Sequence, residues 1–183
     1  MEDKLRALDL DLIIPDAGKY GIVGIFEGVK QAAEFELVIE KAEVESTRKH
    51  IDVTLQDLGL AYLVSCMDYP DGRVYLLYDV AKTPELAEAV SDYCDGEFIR
   101  PANLAEKERL RGRLFGFPET AIDYFIAHID SGLPNTPVDD NPKYHSYRHS
   151  PDHAEQEYAQ YEQVLDVAFR KYCPNSATKL LDD

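Results

Sequence analysis

The strongest constraint on this chain's fold lies near its middle. Segments 61–67 and 73–80 are rich in Tyr, Val and Leu, and Tyr69-Pro70-Asp71-Gly72 separates them. Proline fixes φ and glycine supplies the positive φ that closes the turn, so the two segments read as an antiparallel hairpin. Val64 and Leu76 are expected to be buried on adjacent strands, with Asp71-Gly72 at the turn. Upstream, segment 33–39 alternates with Phe35, Leu37 and Ile39 on one side, which predicts another strand. From Glu43 the period changes: Val44, Ile51, Leu55 and Leu58 keep a helical stripe, and Gly59 sits where a helix-terminating residue belongs. After the hairpin, Thr83 and Pro84 form an N-cap and first-turn pair for a helix carrying Leu86, Ala89, Val90 and Tyr93. The order β-α-β-β-α predicts an α+β fold, with a small, mainly antiparallel sheet covered by helices on one face.

The flanks are less determined. In residues 1–30, an apolar run from Leu5 to Ile14 is stopped by Pro15, and Gly18, Gly21, Gly24 and Gly28 follow. Their spacing does not match a dinucleotide-binding or phosphate-binding loop, so they are expected to mark bends and close backbone approaches. Beyond Pro101 the sequence turns helical, with predicted helices over 102–115 and 118–131, the second burying Ile122, Phe125, Ile126 and Ile129. Gly116 and Pro118 punctuate their joint. Residues 132–147 read as a long loop, and Ser150-Pro151 opens a last helix that carries Tyr158, Tyr161, Leu165, Ala168, Phe169 and Tyr172 until Pro174 ends it. A sheet-containing part, 1–100, and a helical part, 101–183, are expected to pack as one compact unit.

Charge narrows the partners. Nineteen Lys and Arg against 35 Asp and Glu give the 183 residues a net charge of −16. That balance repels phosphate backbones and anionic membranes, which argues against nucleic acid as a partner unless a local basic patch overrides it. No apolar run approaches the length of a membrane span, and Met1-Glu2-Asp3-Lys4 lacks the basic-then-apolar pattern of a signal peptide, so a cytoplasmic location is expected. Cys66, Cys94 and Cys173 are an odd count without a CxxC pair, as suits a reducing compartment.

Two clusters could carry chemistry. His145, His149 and His153 recur every four residues, and Glu157 lies one turn beyond His153. Imidazole and carboxylate are ordinary ligands for zinc or a similar divalent transition metal, so these four form the candidate metal set. The competing reading is exposed polar residues at a helix start. The second cluster reverses the chain's sign: Arg100, Lys107, Arg109, Arg111 and Arg113, with Arg109 and Arg113 on one helical face. Tyr144, Tyr147 and Arg148 add a cation and stackable rings, making a candidate surface for a phosphate or carboxylate. The alternative is that these arginines pair with the chain's own acids. Ser65 and Cys66 fall in a predicted strand without a nucleophile elbow, Asp95 would raise the thiol pKa of Cys94, and His50 and His128 read as surface or boundary residues on amphipathic helices.

Leu114-Phe115-Gly116-Phe117-Pro118-Glu119-Thr120-Ala121 resembles the Leu-Gly-Tyr-Pro-x-Cys-Cys segment of an uncharacterised archaeal domain-of-unknown-function family. His149-Ser150-Pro151-Asp152-His153 is similar to that family's Cys-Ser-Pro-x-Cys segment. Thr120 and Ala121 replace one cysteine pair, while His149 and His153 replace the other. The second exchange is one a metal site tolerates, and the first removes two ligands. The resemblance implies a place for a site and no reaction.

The leading expectation is therefore a binding protein whose polar site, near the start of the last helix, takes a small anionic ligand through Arg109, Arg113, Tyr144, Tyr147 and Arg148. The alternatives are a metal-dependent enzyme using His145, His149 and His153, and an interaction module in which the last helix forms a homodimer seam.

Overall fold

The computed structural model describes residues 1–91, 93–94, 97–98, 104–128, 152–153, 155–156, 159 and 162–182. The larger of its two described sheets has strands β1 (Ala32–Glu40), β2 (Ala61–Asp68) and β3 (Arg73–Ala81), all antiparallel, in the order β1-β3-β2; the smaller pairs Tyr93–Cys94 with Glu97–Phe98. β2 and β3 are the expected hairpin. Gly72 has φ 89°, its N–H donates to the Tyr69 carbonyl at 3.1 Å, and Asp71 accepts from the Arg73 N–H at 3.2 Å. Flanked on both sides, β3 is buried without interruption from Leu76 to Ala81, and Leu76 is fully buried. Val64 is half-buried on the neighbouring strand, because β2 lies at the sheet's margin.

One face of the sheet carries Phe35, Leu37, Leu76, Tyr78 and Val80, and the main core forms there. Helix α3 (Val44–Leu58) lays Ile51, Leu55 and Leu58 on it and stops at Gly59, whose φ of 73° lets the chain turn into β2. Helix α2 (Asp16–Glu27) packs beside it against β1. Here the expectation for the N-terminal glycines is corrected in part: Gly18, Gly21 and Gly24 make no bend but lie inside α2. A Cβ on Gly18 would stand 2.8 Å from the Phe35 ring and one on Gly21 2.7 Å from the Ala33 methyl, so the helix reaches the strand only because these positions are bare. The close approach was the correct half of that reading. Helix α1 (Glu2–Leu8) closes the edge of this core with Leu5 and Leu8.

The other face is covered too, a second correction. Helices α4 (Pro84–Val90), α5 (Leu104–Leu114) and α6 (Glu119–His128) form a smaller layer, and Ala87, Val90, Leu114 and Phe115 pack with the strand residues Ala32 and Ala81. Small residues on the sheet allow that second approach. The Thr83 hydroxyl caps α4 by accepting the Leu86 N–H, as its sequence predicts. Beyond α5, Gly116 has φ 75° and passes the Val29 carbonyl so closely that a Cβ would sit 2.3 Å from the oxygen. The Gln31 N–H donates to the Leu114 carbonyl at 2.7 Å, so this end of α5 is fixed to the α2–β1 connection.

The C-terminal residues return to the main core. A π-type turn, Glu162–Asp166, leads into α7 (Val167–Tyr172), and Leu165, Phe169 and Tyr172 are buried against α2. Tyr20 meets the Phe169 ring edge-on at 5.2 Å and donates its hydroxyl to Asp166 at 2.6 Å. Pro174 opens the short α8 (Pro174–Ala177), whose Asn175 and Ser176 N–H groups donate to Asp9. The described part of the aromatic stripe expected as a homodimer seam is thus largely core, while Tyr158 and Tyr161 lie outside the described residues. Among the described residues no helix is long and apolar enough to cross a membrane.

Candidate functional site

Of the residues singled out by sequence, Arg109 and Arg113 lie on α5 and are engaged by α6. Arg109 pairs with Asp123 at 2.5 Å, and Arg113 holds both carboxylate oxygens of Glu119 at 2.6 and 3.0 Å. That arrangement is the self-pairing alternative weighed for this basic face. His153 is exposed, and Tyr144, His145, Tyr147, Arg148, His149 and Glu157 lie outside the described residues. Among the described residues, no group of three His, Cys, Asp or Glu side chains is placed to hold a metal ion. His50 bonds Asp11 at 2.8 Å, and His128 bonds the Tyr124 carbonyl at 2.7 Å, both boundary roles. Cys173 is fully buried, and loss of water, reinforced by Asp9, pushes its thiol up to about 12, so it remains an inert thiol.

The structure instead brings together a set of polar groups between α3 and β2. Arg48, Asp52 and Gln56 are spaced four residues apart, which places them in one stripe along α3, beside the apolar stripe of Ile51, Leu55 and Leu58. Each reaches the sheet: Arg48 Nη1 lies 4.0 Å from Cys66 Sγ, Asp52 accepts from the Tyr78 hydroxyl at 3.3 Å, and Gln56 Nε2 donates to the Tyr62 hydroxyl at 3.3 Å. Burial and the nearby Asp52 carboxylate raise the pKa of both phenols, so both hydroxyls keep their protons. The space between helix and strand is a groove of about 750 Å³ with Val44, Val53 and Val74 supplying apolar surface. Lys41 closes one end by pairing with Asp68 at 3.1 Å.

The groove's charge differs from that of the molecule. Lys41, Arg48 and Lys49 balance Glu45, Asp52 and Asp68 along its lining, in a chain whose net charge is −16. Arg48 is half-buried, and among the described residues its polar contact is the Cys66 thiol and no carboxylate pairs with it. A guanidinium held beside apolar walls, with two hydroxyl-bearing rings close by, can take a carboxylate or phosphate by two parallel hydrogen bonds.

A second polar cluster lies under α5 on the opposite face of the sheet. Glu34 and Asp79 are cross-strand neighbours, Asp79 is fully buried, and Arg111 of α5 pairs with Glu34. Partial loss of water, with its side chain still 31% exposed, pushes the Glu34 carboxyl up to about 7; Arg111 opposes the rise and Asp79 adds to it. Nearby, Lys30 donates to the Phe115 carbonyl at 2.8 Å with its ammonium 5.4 Å from the centre of the Phe117 ring, and burial lowers it to about 8. These groups tie the second helical layer to the sheet.

The Arg48 stripe was missed by sequence because a run of charges on one side of a helix resembles an ordinary solvated face. The available signal was the four-residue spacing of Arg48, Asp52 and Gln56 directly beside the apolar stripe, with a segment free of charge from Ala61 to Met67 following at once. No family model, curated protein or solved structure matches the chain.

Proposed function

We propose that this chain is a binding protein for a small anionic group, taken up in the groove between α3 and β2. The observation that carries the reading is Arg48, a guanidinium half-buried at the groove with the Cys66 thiol as its polar neighbour rather than a carboxylate. An arginine so placed keeps its donors for a ligand, whereas Arg109 and Arg113 spend theirs on Asp123 and Glu119. Asp52 gives the site a second polarity one turn away, favouring a ligand that pairs its anionic end with a hydrogen-bond donor. The groove's volume, about 750 Å³, lies within the range of small-ligand sites.

Titration calorimetry with succinate and with inorganic phosphate tests this. Binding of at least one should weaken as salt rises and fall about tenfold or more in Arg48→Ala, with partial retention in Arg48→Lys. Equal binding by the wild-type chain and Arg48→Ala removes the groove as the site.

A further inference from the structure

The groove does not stand alone: it opens along the sheet's outer strand β2. β2 is the outer strand of the order β1-β3-β2, and among the described residues its far edge pairs with no strand. From Ala61 to Met67 it carries no charge and no proline. Exposed edges are usually blunted by charges, prolines or bulges, because their unpaired N–H and C=O groups invite another strand. The opposite margin follows that rule, since β1 carries Glu34, Glu36 and Glu40, while a helix packs against each outer strand, α2 on β1 and α4 on β2. β2 departs from it.

We propose that the occupant of this edge is an extended peptide segment of a partner protein, added as a fourth strand beside β2, with a carboxylate side chain held by Arg48. This rests on the reading that the groove binds an anion, and it names that anion's carrier. Eight residues of β2 span about 26 Å, enough for a peptide of six to eight residues. An added strand lies about 4.8 Å outside β2, and its side chains alternate between the two faces of the sheet. One set enters the groove under Arg48, Asp52 and Gln56; the other extends the surface of Leu63 and Met67, 36% and 46% exposed. Backbone pairing supplies affinity, and the alternating side chains supply selection. The partner's groove-facing set therefore includes a carboxylate, and its other set is apolar. A second copy of this chain is the less suited occupant, because it brings its own charge of −16 against the first, a repulsion that a short peptide with one carboxylate avoids.

The test is fluorescence anisotropy of the full chain with a synthetic library of labelled heptapeptides in which apolar β-branched residues alternate with polar ones and one polar position is glutamate. Members should bind, and binding should fall about tenfold or more when that glutamate becomes glutamine or when Arg48→Ala is used. Methylating alternate backbone nitrogens should abolish binding for one set and spare it for the other, since only every second N–H of an added strand faces β2. Indifference to backbone methylation overturns strand addition. Succinate or phosphate binding that depends on Arg48, with no peptide binding, overturns the peptide and leaves the groove; absence of both overturns the two together. A dimer in analytical ultracentrifugation that is lost in Met67→Lys assigns the edge to a second copy and also overturns the proposal.

Discussion

Gly116 shows how a single position can carry both conformation and space. Its φ of 75° already disfavours a side chain, and the Val29 oxygen stands 2.3 Å from where a Cβ would lie. Gly72 has φ 89° with nothing within 4 Å, so it isolates the first effect from the second. Gly72→Ala should therefore cost about 1 kcal/mol in chemical denaturation, while Gly116→Ala should cost at least about 2 kcal/mol more, because backbone must move. Equal losses would show that the α5–α6 joint shifts without cost. The Gly116 position also bears on the pH behaviour, since that joint holds the Phe115 carbonyl to which Lys30 donates.

At the scale of elements, legibility in the sequence followed the range of the interactions. The β2–β3 hairpin and α3 were readable because their determinants, Pro70-Asp71-Gly72 and the stripe ending at Gly59, act within a few residues. α2 was not, since Gly18, Gly21 and Gly24 lower helix propensity and are explained only by β1 on the far side of a connection. The coupling of α8 to Asp9 spans 167 residues and leaves no local signature. Of the site, the sign reversal on α5 was legible and its partners on α6 were not; the Arg48 stripe became visible only with β2 beside it. The return of α7 to the core yields a prediction at this scale. Phe169 is fully buried and packs edge-on with Tyr20, so Phe169→Ala should cost about 3–5 kcal/mol. Asp9→Ala removes the acceptor for Asn175 and Ser176 and should cost about 1–2 kcal/mol, measurable as faster amide exchange confined to residues 174–182. Exchange unchanged there would mean that the apolar contacts of Ala177 and Leu180 hold the terminus without the cap.

For the whole molecule, stability is set against charge, and two titrating groups, the partly exposed Glu34 and the buried Lys30, predict an unusual pH profile. Surface pairs such as Arg73–Asp71 and Arg170–Asp182 are exposed and contribute little, so they do not shape it. Glu34 has its folded pKa raised from 4.5 to about 7, so the folded chain holds a proton that the unfolded chain has released, and stability falls as pH rises through that interval. Lys30 has its folded pKa lowered from 10.5 to about 8, so the unfolded chain binds the extra proton, and stability recovers as pH rises from about 8 to 10.5. Below about pH 4 the opposite carboxylates act. Asp11, whose burial is outweighed by the N–H groups of Ile14 and Ile13 and by His50, and Glu119, paired with Arg113, are held below their ordinary values, so their contribution is lost on acidification. Denaturant midpoints should therefore pass through a shallow minimum between about pH 7 and 8, where the costs of the charged Glu34 and the charged Lys30 are both fully present. Glu34→Gln should flatten the acidic side of the minimum and leave the alkaline side, and Lys30→Met should do the reverse. The separation matters because the net charge of −16 also changes with pH, and its repulsion is screened by salt whereas the contribution of the buried Lys30 is screened much less. A minimum that disappears in 0.5 M salt (roughly half the Debye length of 0.1 M) would assign the profile to overall charge; one that persists in salt and loses one side in each variant assigns it to Glu34 and Lys30.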